Sequence, residues 1–342
     1  EMAGDDDEPS DPPQYTIIVR LVANAICVVA GVTTVVTFQY FPWLKNYPRN
    51  LYLYFTAMNM LECLFQLVAL SLPLQDGNND GLSCGRAVMF FLSDYGALPS
   101  EFLWINCMAI TIYFELCHVK RRLEPRQLQD PAEVESMQKE QERHKEWQEQ
   151  SQKVFHFVCW VIPLTLACWG LANVHSTKQC NEWSDVLVRG ERSASDQDVV
   201  RVVVLVVLAL SFLLSCLVFV IVAISLRQVM KLLDLYQGGA QGTIHTNSII
   251  PSRVFIGLAI VFGMTRVFSV IKVMNEVSQF DPEQERGIGA LNLLGSLVSP
   301  VQGFLMFLWF AIKFNYLDLW RHALSHHPRD PSTVAEALLG MF

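Results

Sequence analysis

The sequence predicts an all-α membrane protein, a seven-transmembrane helix bundle with its N-terminus outside and its C-terminus inside. Two observations carry that prediction. The first is a succession of apolar stretches long enough to cross a bilayer, since a hydrocarbon core of about 30 Å takes about 20 apolar residues at 1.5 Å of rise each. The second is the uneven placement of basic residues in the segments that join those stretches. Composition agrees: 52% hydrophobic and only 17% charged residues over 342 positions is too apolar for an ordinary soluble fold. The net charge of −8 says less, because the acidic residues are concentrated at the N-terminus and in the connections.

Spans are expected near residues 16–42, 51–74, 85–117, 154–174, 199–226, 252–275 and 287–312. They make one bundle domain, 15–324, between an acidic extracellular segment, 1–14, and a cytoplasmic tail, 325–342. Sixteen of the 25 basic residues fall on one set of alternate segments: Lys45 and Arg49, eight from Lys120 to Lys153, then Arg227, Lys231 and Arg253, then Lys313, Arg321 and Arg329. The stretch before Tyr15 has no basic residue and carries Glu1, Asp5, Asp6, Asp7, Glu8 and Asp11. The positive-inside rule therefore places the first, third and fifth connections and the tail in the cytoplasm. An acidic N-terminal stretch does not read as a cleavable signal peptide, so the first span is expected to direct insertion. There is no Asn-x-Ser/Thr sequon and no internal repeat, and the latter weighs against a transporter built from duplicated halves.

Seven of the nine cysteines, Cys27, Cys63, Cys107, Cys117, Cys159, Cys168 and Cys216, fall inside or at the edge of spans, where they read as small apolar packers. Cys84 and Cys180 both fall on the expected outer face. In an oxidising compartment they can form a disulfide that pins the outer loop over the bundle, or they remain two thiols. The third connection is the most unusual soluble element. Asp130-Pro131-Ala132-Glu133 supplies an N-cap, a proline at the first helical position and a glutamate in the first turn. No Gly or Pro follows before the fourth span, so a helix is expected to run straight into the membrane and to project about 33 Å into the cytoplasm. Its Glu, Gln, Lys and Arg content suits a solvated spacer held by i,i+4 pairs, or a surface that docks a partner.

Ionisable groups within spans are expensive unless they face protein or water. Glu62, Asp94, Glu101, Arg266 and Lys272 are the cases singled out. Glu62, Glu101 and Arg266 lie near mid-depth, which predicts an interior polar cluster with Arg266 paired to Glu101 or Glu62. Such a pair is either a switch or scaffolding that fixes helix register. Nearer the outside, Asp94, Tyr95, Lys272 and Glu276, under Cys180 and Trp183, form either a ligand-binding mouth or a hydrated rim. At the inner face Lys120, Arg121, Arg122, Arg227 and Lys231 make a basic rim suited to an acidic partner or to anionic lipid.

No enzyme motif is present: there is no His-Glu-x-x-His, no paired Cys/His metal spacing, no phosphate-binding glycine loop and no Gly-x-Ser-x-Gly. No cofactor, metal or nucleic-acid partner is expected, and His326-His327 reads as a solvated tail pair. A retinal protein is not expected either, because the last span, Gly287–Ile312, has no lysine for the chromophore.

Three groups of residues carry a family resemblance. They are Cys84 with Cys180 and the following Asn181-Glu182-Trp183, the run Leu103-Trp104-Ile105-Asn106-Cys107-Met108-Ala109-Ile110, and Val301-Gln302-Gly303-Phe304. On these the chain resembles the G-protein-coupled receptor superfamily, most of all its cyclic-AMP-receptor-like group, over about Tyr15 to Leu324. It departs from rhodopsin-like receptors in having Tyr113-Phe114-Glu115 where an acidic-Arg-Tyr triad would stand, no Cys-Trp-x-Pro in the sixth span, and Ser299-Pro300 in the seventh. The resemblance implies an extracellular ligand that biases a two-state bundle, a heterotrimeric G protein or another cytoplasmic protein as partner, and a short amphipathic helix at Phe314–Leu324. Cyclic AMP is not implied as the ligand, since few cations stand near the mouth. The alternatives are a non-signalling scaffold or accessory subunit of a membrane assembly and, third, a small-solute transporter.

Overall fold

The computed structural model describes residues 14–41, 44, 49–72, 80–123, 131–172, 198–237, 297, 300–312, 316 and 320–321. Regular structure among them is entirely helical. The order is α1 (Gln14–Tyr40), α2 (Arg49–Ser71), α3 (Asp80–Phe90), a π-helical segment (Phe91–Ala97), α4 (Leu98–Leu123), α5 (Pro131–Ala172), α6 (Asp198–Gln237) and the short α7 (Pro300–Ile312). Five stretches are long and apolar enough to cross a membrane: Thr16–Tyr40, Asn50–Ser71, Cys84–His118, Lys139–Ala172 and Val206–Val229. They coincide with the first five expected spans and fit a multi-pass membrane protein. The expected sixth span, 252–275, and nearly all of the seventh before Pro300 lie outside the described residues, as does the tail.

α1 shows why lipid is the natural surroundings of this fold. Its outward face is Ile18, Val22, Ile26, Val29, Val32 and Val36, all exposed, while its inward face is Asn24, Cys27, Ala30, Thr34, Thr37 and Phe38, all buried. A helix in water would reverse that pattern. In hydrocarbon the polar side chains must turn inward or bond to their own backbone, and three threonines do the latter. Thr33, Thr34 and Thr37 donate to the carbonyls of Val29, Ala30 and Thr33 at 2.8, 3.0 and 2.7 Å.

α3, the π segment and α4 form one long helix, the third expected span. The π register closes with the Leu98 N–H bonding the Ser93 carbonyl, five residues back. Pro99 accounts for the widening, because it has no N–H to give the preceding turn and its ring crowds the carbonyl of Tyr95. A second proline, Pro163, lies inside α5 and leaves the carbonyl of Cys159 without its helical donor. Ser100 Oγ fills that vacancy at 2.6 Å, tying α4 to α5. Asn106 similarly ties α4 to α6, donating to the Ser211 carbonyl at 3.1 Å and accepting from Ser215 Oγ at 2.7 Å. Arg86, buried near the start of the third span, donates to the Ala69 and Leu72 carbonyls and so caps the C-terminus of α2.

The main core gathers Phe38, Tyr52, Phe55, Trp104 and Phe310 from α1, α2, α4 and α7, with Tyr52 and Phe310 stacked at a centroid distance of 3.5 Å. Beyond α7, Trp320 Nε1 donates to Thr37 Oγ1 at 3.2 Å and its ring lies 5.2 Å from that of Tyr40. The chain after the last expected span is thereby laid against the end of α1. Tyr316 is buried beside it, and burial pushes its phenol up. Of the amphipathic helix expected at Phe314–Leu324, only Tyr316, Trp320 and Arg321 are described.

Small residues set the closest helix approaches. A Cβ on Gly170 would meet Phe91 Cδ1 and Cε1 at 2.6 and 2.7 Å, whereas for one on Gly85 the nearest atom among the described residues is Leu72 Cδ1 at 3.9 Å. Phe91 is a stiff, buried ring, while 3.9 Å to the tip of a leucine is ordinary contact. Gly170→Ala is expected to destabilise the fold by about 2 kcal/mol and Gly85→Ala not at all. Thermal unfolding of the two variants in one detergent checks this, and equal losses would contradict it.

Candidate functional site

The candidate site is a layer of polar side chains enclosed between the apolar helices. α1 and α2 run antiparallel, and Cys27 Sγ donates to Asn59 Oδ1 at 3.1 Å. From that contact, one turn back along α1 comes Asn24 and one turn forward along α2 comes Glu62; a further turn gives Arg20 and Gln66. Asn24, Asn59, Glu62 and Gln66 are all buried, and Gln66 Nε2 donates to Glu62 Oε1 at 3.3 Å. α7 closes on the same contact through Gly303, where any Cβ would lie 2.6 Å from Cys27 Sγ, and this places its neighbour, the buried Gln302, at that level. On α4, packed against α2, Glu101 is 0% exposed, and Glu62 on α2 is 3% exposed. Glu101 and Glu62 are thus both withdrawn from lipid, as mid-depth carboxylates must be. Arg266, read as their partner, lies outside the described residues.

Nearer the other end of the long third helix, the π segment carries Asp94 and Tyr95. Asp94 is 6% exposed and accepts from Ser93 Oγ at 2.9 Å. Tyr95 lies in an aromatic group with Phe90 and Phe91, at centroid distances of 5.8 and 5.0 Å. Both side chains are therefore enclosed by the bundle instead of lying on an open rim. Cys84 lies on α3; Cys180, Trp183, Lys272 and Glu276 lie outside the described residues. Of the span cysteines, Cys27, Cys63, Cys107 and Cys159 are buried, but Cys168 and Cys216 are exposed among lipid-facing residues and do not pack.

At the opposite end, Lys120 Nζ donates to Gln228 Oε1 at 3.0 Å, which brings the end of α4 beside Arg227 and Lys231 of α6. Arg121 and Arg122 belong to the last turn of α4. The third-connection helix is present and unbroken: α5 runs 42 residues from Pro131 to Ala172. It does not project alone, however. His144 Nε2 lies 3.1 Å from Glu115 Oε1, Gln148 Nε2 donates to the same oxygen at 2.8 Å, and Trp147 sits 4.4 Å from Phe114. The expected continuous extension of the fourth span is present, and α4, continuing past the apolar region, gives it a wall to lean on.

Sequence reading singled out the acidic members of the enclosed layer and missed Arg20, Asn24, Asn59, Gln66 and Gln302. A signal was available: positions 20, 24, 27, 31 and 34 make a polar or small stripe at helical spacing on an otherwise branched, apolar α1. No protein-family model matches the chain, and no curated protein matches it either.

Proposed function

We propose that the chain is a seven-transmembrane receptor of the G-protein-coupled type, N-terminus outside, taking an extracellular ligand and signalling to a cytoplasmic partner. The observation that supports this reading best is the enclosed polar layer joining α1, α2 and α7, which includes the Glu62 carboxylate, together with the second buried carboxylate, Glu101, on the adjoining α4. Buried charge in a helix bundle gains most from one discrete arrangement of its partners, and two such arrangements make a bistable element that a ligand can bias. In this reading Asp94, Tyr95 and Lys272 face the ligand side, with the loop above held by a Cys84–Cys180 disulfide. Lys120, Arg121, Arg122, Arg227 and Lys231 face the partner, and the surrounding membrane is the plasma membrane. No catalytic residue belongs to it.

The docking of the α5 extension on α4 favours a second reading, a scaffold whose extension is a rigid tether. One experiment separates the two: the full chain in lipid nanodiscs is mixed with purified heterotrimeric G proteins and guanine-nucleotide exchange is measured. A receptor is expected to raise the exchange rate about tenfold or more over empty discs. No increase with any G-protein class, together with stoichiometric recovery of other membrane proteins on the extension, would replace the receptor by the scaffold.

A further inference from the structure

The outward side of α5 is apolar where it crosses the bundle, yet hydrogen-bond donors gather at one end of it. The exposed Phe157, Trp160 and Leu164 follow one another at helical spacing, and Lys153, also exposed, continues the same stripe one turn earlier. Beside them Trp160 Nε1 donates to His156 Nδ1 at 3.3 Å. An indole nitrogen can only donate, so Nδ1 presents its lone pair and the neutral imidazole carries its proton on Nε2. The His156 ring stands edge-on to Tyr54 of α2 and Trp104 of α4, at centroid distances of 4.4 and 5.2 Å. Trp104 is wholly buried behind them, while Tyr54 and His156 are half-buried. Lys153 Nζ, His156 Nε2–H and the Tyr54 hydroxyl can all donate, and none of them has an acceptor among the described residues. Glu149, one turn before Lys153, makes no ion pair with it, and Glu115 on α4 is engaged by Gln148 and His144.

We propose that this donor set and the apolar stripe beside it bind one anionic glycerophospholipid, its phosphate at Lys153, its glycerol-ester oxygens at His156 and Tyr54, and an acyl chain along Phe157, Trp160 and Leu164. Depth is the first reason. Lys153 stands just before the expected fourth span and Tyr54 one turn into the expected second, where headgroups give way to hydrocarbon and a long cationic side chain reaches back to the interface. Complementarity is the second. Phosphate and ester oxygens accept hydrogen bonds, which matches a cluster with donors to give and no acceptor of its own among the described residues. Lys153 has no carboxylate partner there, so one negative charge balances it, whereas a choline headgroup would bring a second cation beside it. From Phe157 to Leu164 the stripe runs about 10 Å along the helix axis, a length over which an acyl chain can lie. Trp160 has a further part as a positioning residue, since its indole N–H holds His156 in the tautomer that points a donor away from α5. A sterol, with a single hydroxyl, would leave most of these donors unsatisfied.

The lipid site needs no assumption about an extracellular ligand or a G protein, and its failure would leave the receptor reading untouched. In the test, the full chain in a mild detergent is titrated separately with phosphatidylglycerol, phosphatidylcholine and cholesterol, and bound molecules are counted by native mass spectrometry. The first phosphatidylglycerol is expected to bind about fivefold or more tightly than the first phosphatidylcholine. Lys153→Gln is expected to remove that preference, while Lys145→Gln, at an exposed lysine two turns farther out on α5, keeps it. Tyr54→Phe and His156→Phe, which keep an aromatic ring and remove the donor, are each expected to weaken binding of both phospholipids about threefold or more. Equal affinity of the native chain for the two phospholipids overturns the site. So does an equal loss in the two lysine variants, unchanged binding in Tyr54→Phe and His156→Phe, or displacement of phosphatidylglycerol by cholesterol.

Discussion

Gly303→Ala is expected to be the most damaging small substitution in this chain. The added methyl would press on Asn59 Oδ1, 2.6 Å from Cys27 Sγ and 3.1 Å from Asn59 Cγ. Neither neighbour is a flexible tip: Cys27 and Asn59 are buried and bonded to each other across α1 and α2. Relief requires breaking that bond inside an apolar medium or moving α7 outward, which would also disturb the Tyr52–Phe310 stack. Overpacking of this kind costs about 3 kcal/mol, whereas alanine at an unobstructed helical glycine gains up to about 1 kcal/mol. Thermal unfolding of Gly303→Ala beside Gly85→Ala measures the difference, and similar midpoints would show that α7 does not close on α1 and α2 as described. The geometry also gives a physical reason for the Gln302-Gly303-Phe304 tripeptide that contributed to the family resemblance.

Removing the Glu101 carboxylate charge is the second large effect. Glu101 is wholly enclosed, and with Arg266 as its partner, as the sequence predicts, removing one side leaves the other charged in a low-dielectric interior, at a cost of about 3–5 kcal/mol. Glu101→Gln and Arg266→Gln are each expected to lose most of their folded yield in mild detergent. The double variant is expected to recover a large part of it, because neither charge is then left alone. Losses that simply add would exclude the Glu101–Arg266 pair. Repeating the cycle with Glu62→Gln then asks whether Glu62 is the partner instead.

Much of the fold was legible in advance because the bilayer imposes a length and an apolar composition on every crossing helix. The five described crossing helices match expected spans for that reason, and α5 starts at Pro131 because Asp130-Pro131 is a local capping signal that needs no tertiary help. The enclosed carboxylates Glu62 and Glu101 were legible too, since charge at mid-depth has few places to go. The neutral half of the same layer was not. Asn24, Asn59 and Gln302 are inexpensive enough in a span to pass as ordinary, and only the approach of α7 through Gly303 shows them at one level. The π segment was missed because Pro99 permits either a kink or a widened turn, and packing against α5 chose the latter.

The sequence by itself determined that this chain is helical and where its first five helices long and apolar enough to cross a membrane lie, because those follow from hydrophobic length and from the backbone's need to bond internally. Tertiary structure alone decided which polar groups meet: Ser100 with the carbonyl freed by Pro163, Gly303 against Asn59 and Cys27, and His144 with Glu115 and His118. Each of these contacts joins residues far apart in the chain, and no local periodicity encodes the rotation and depth at which two helices come together.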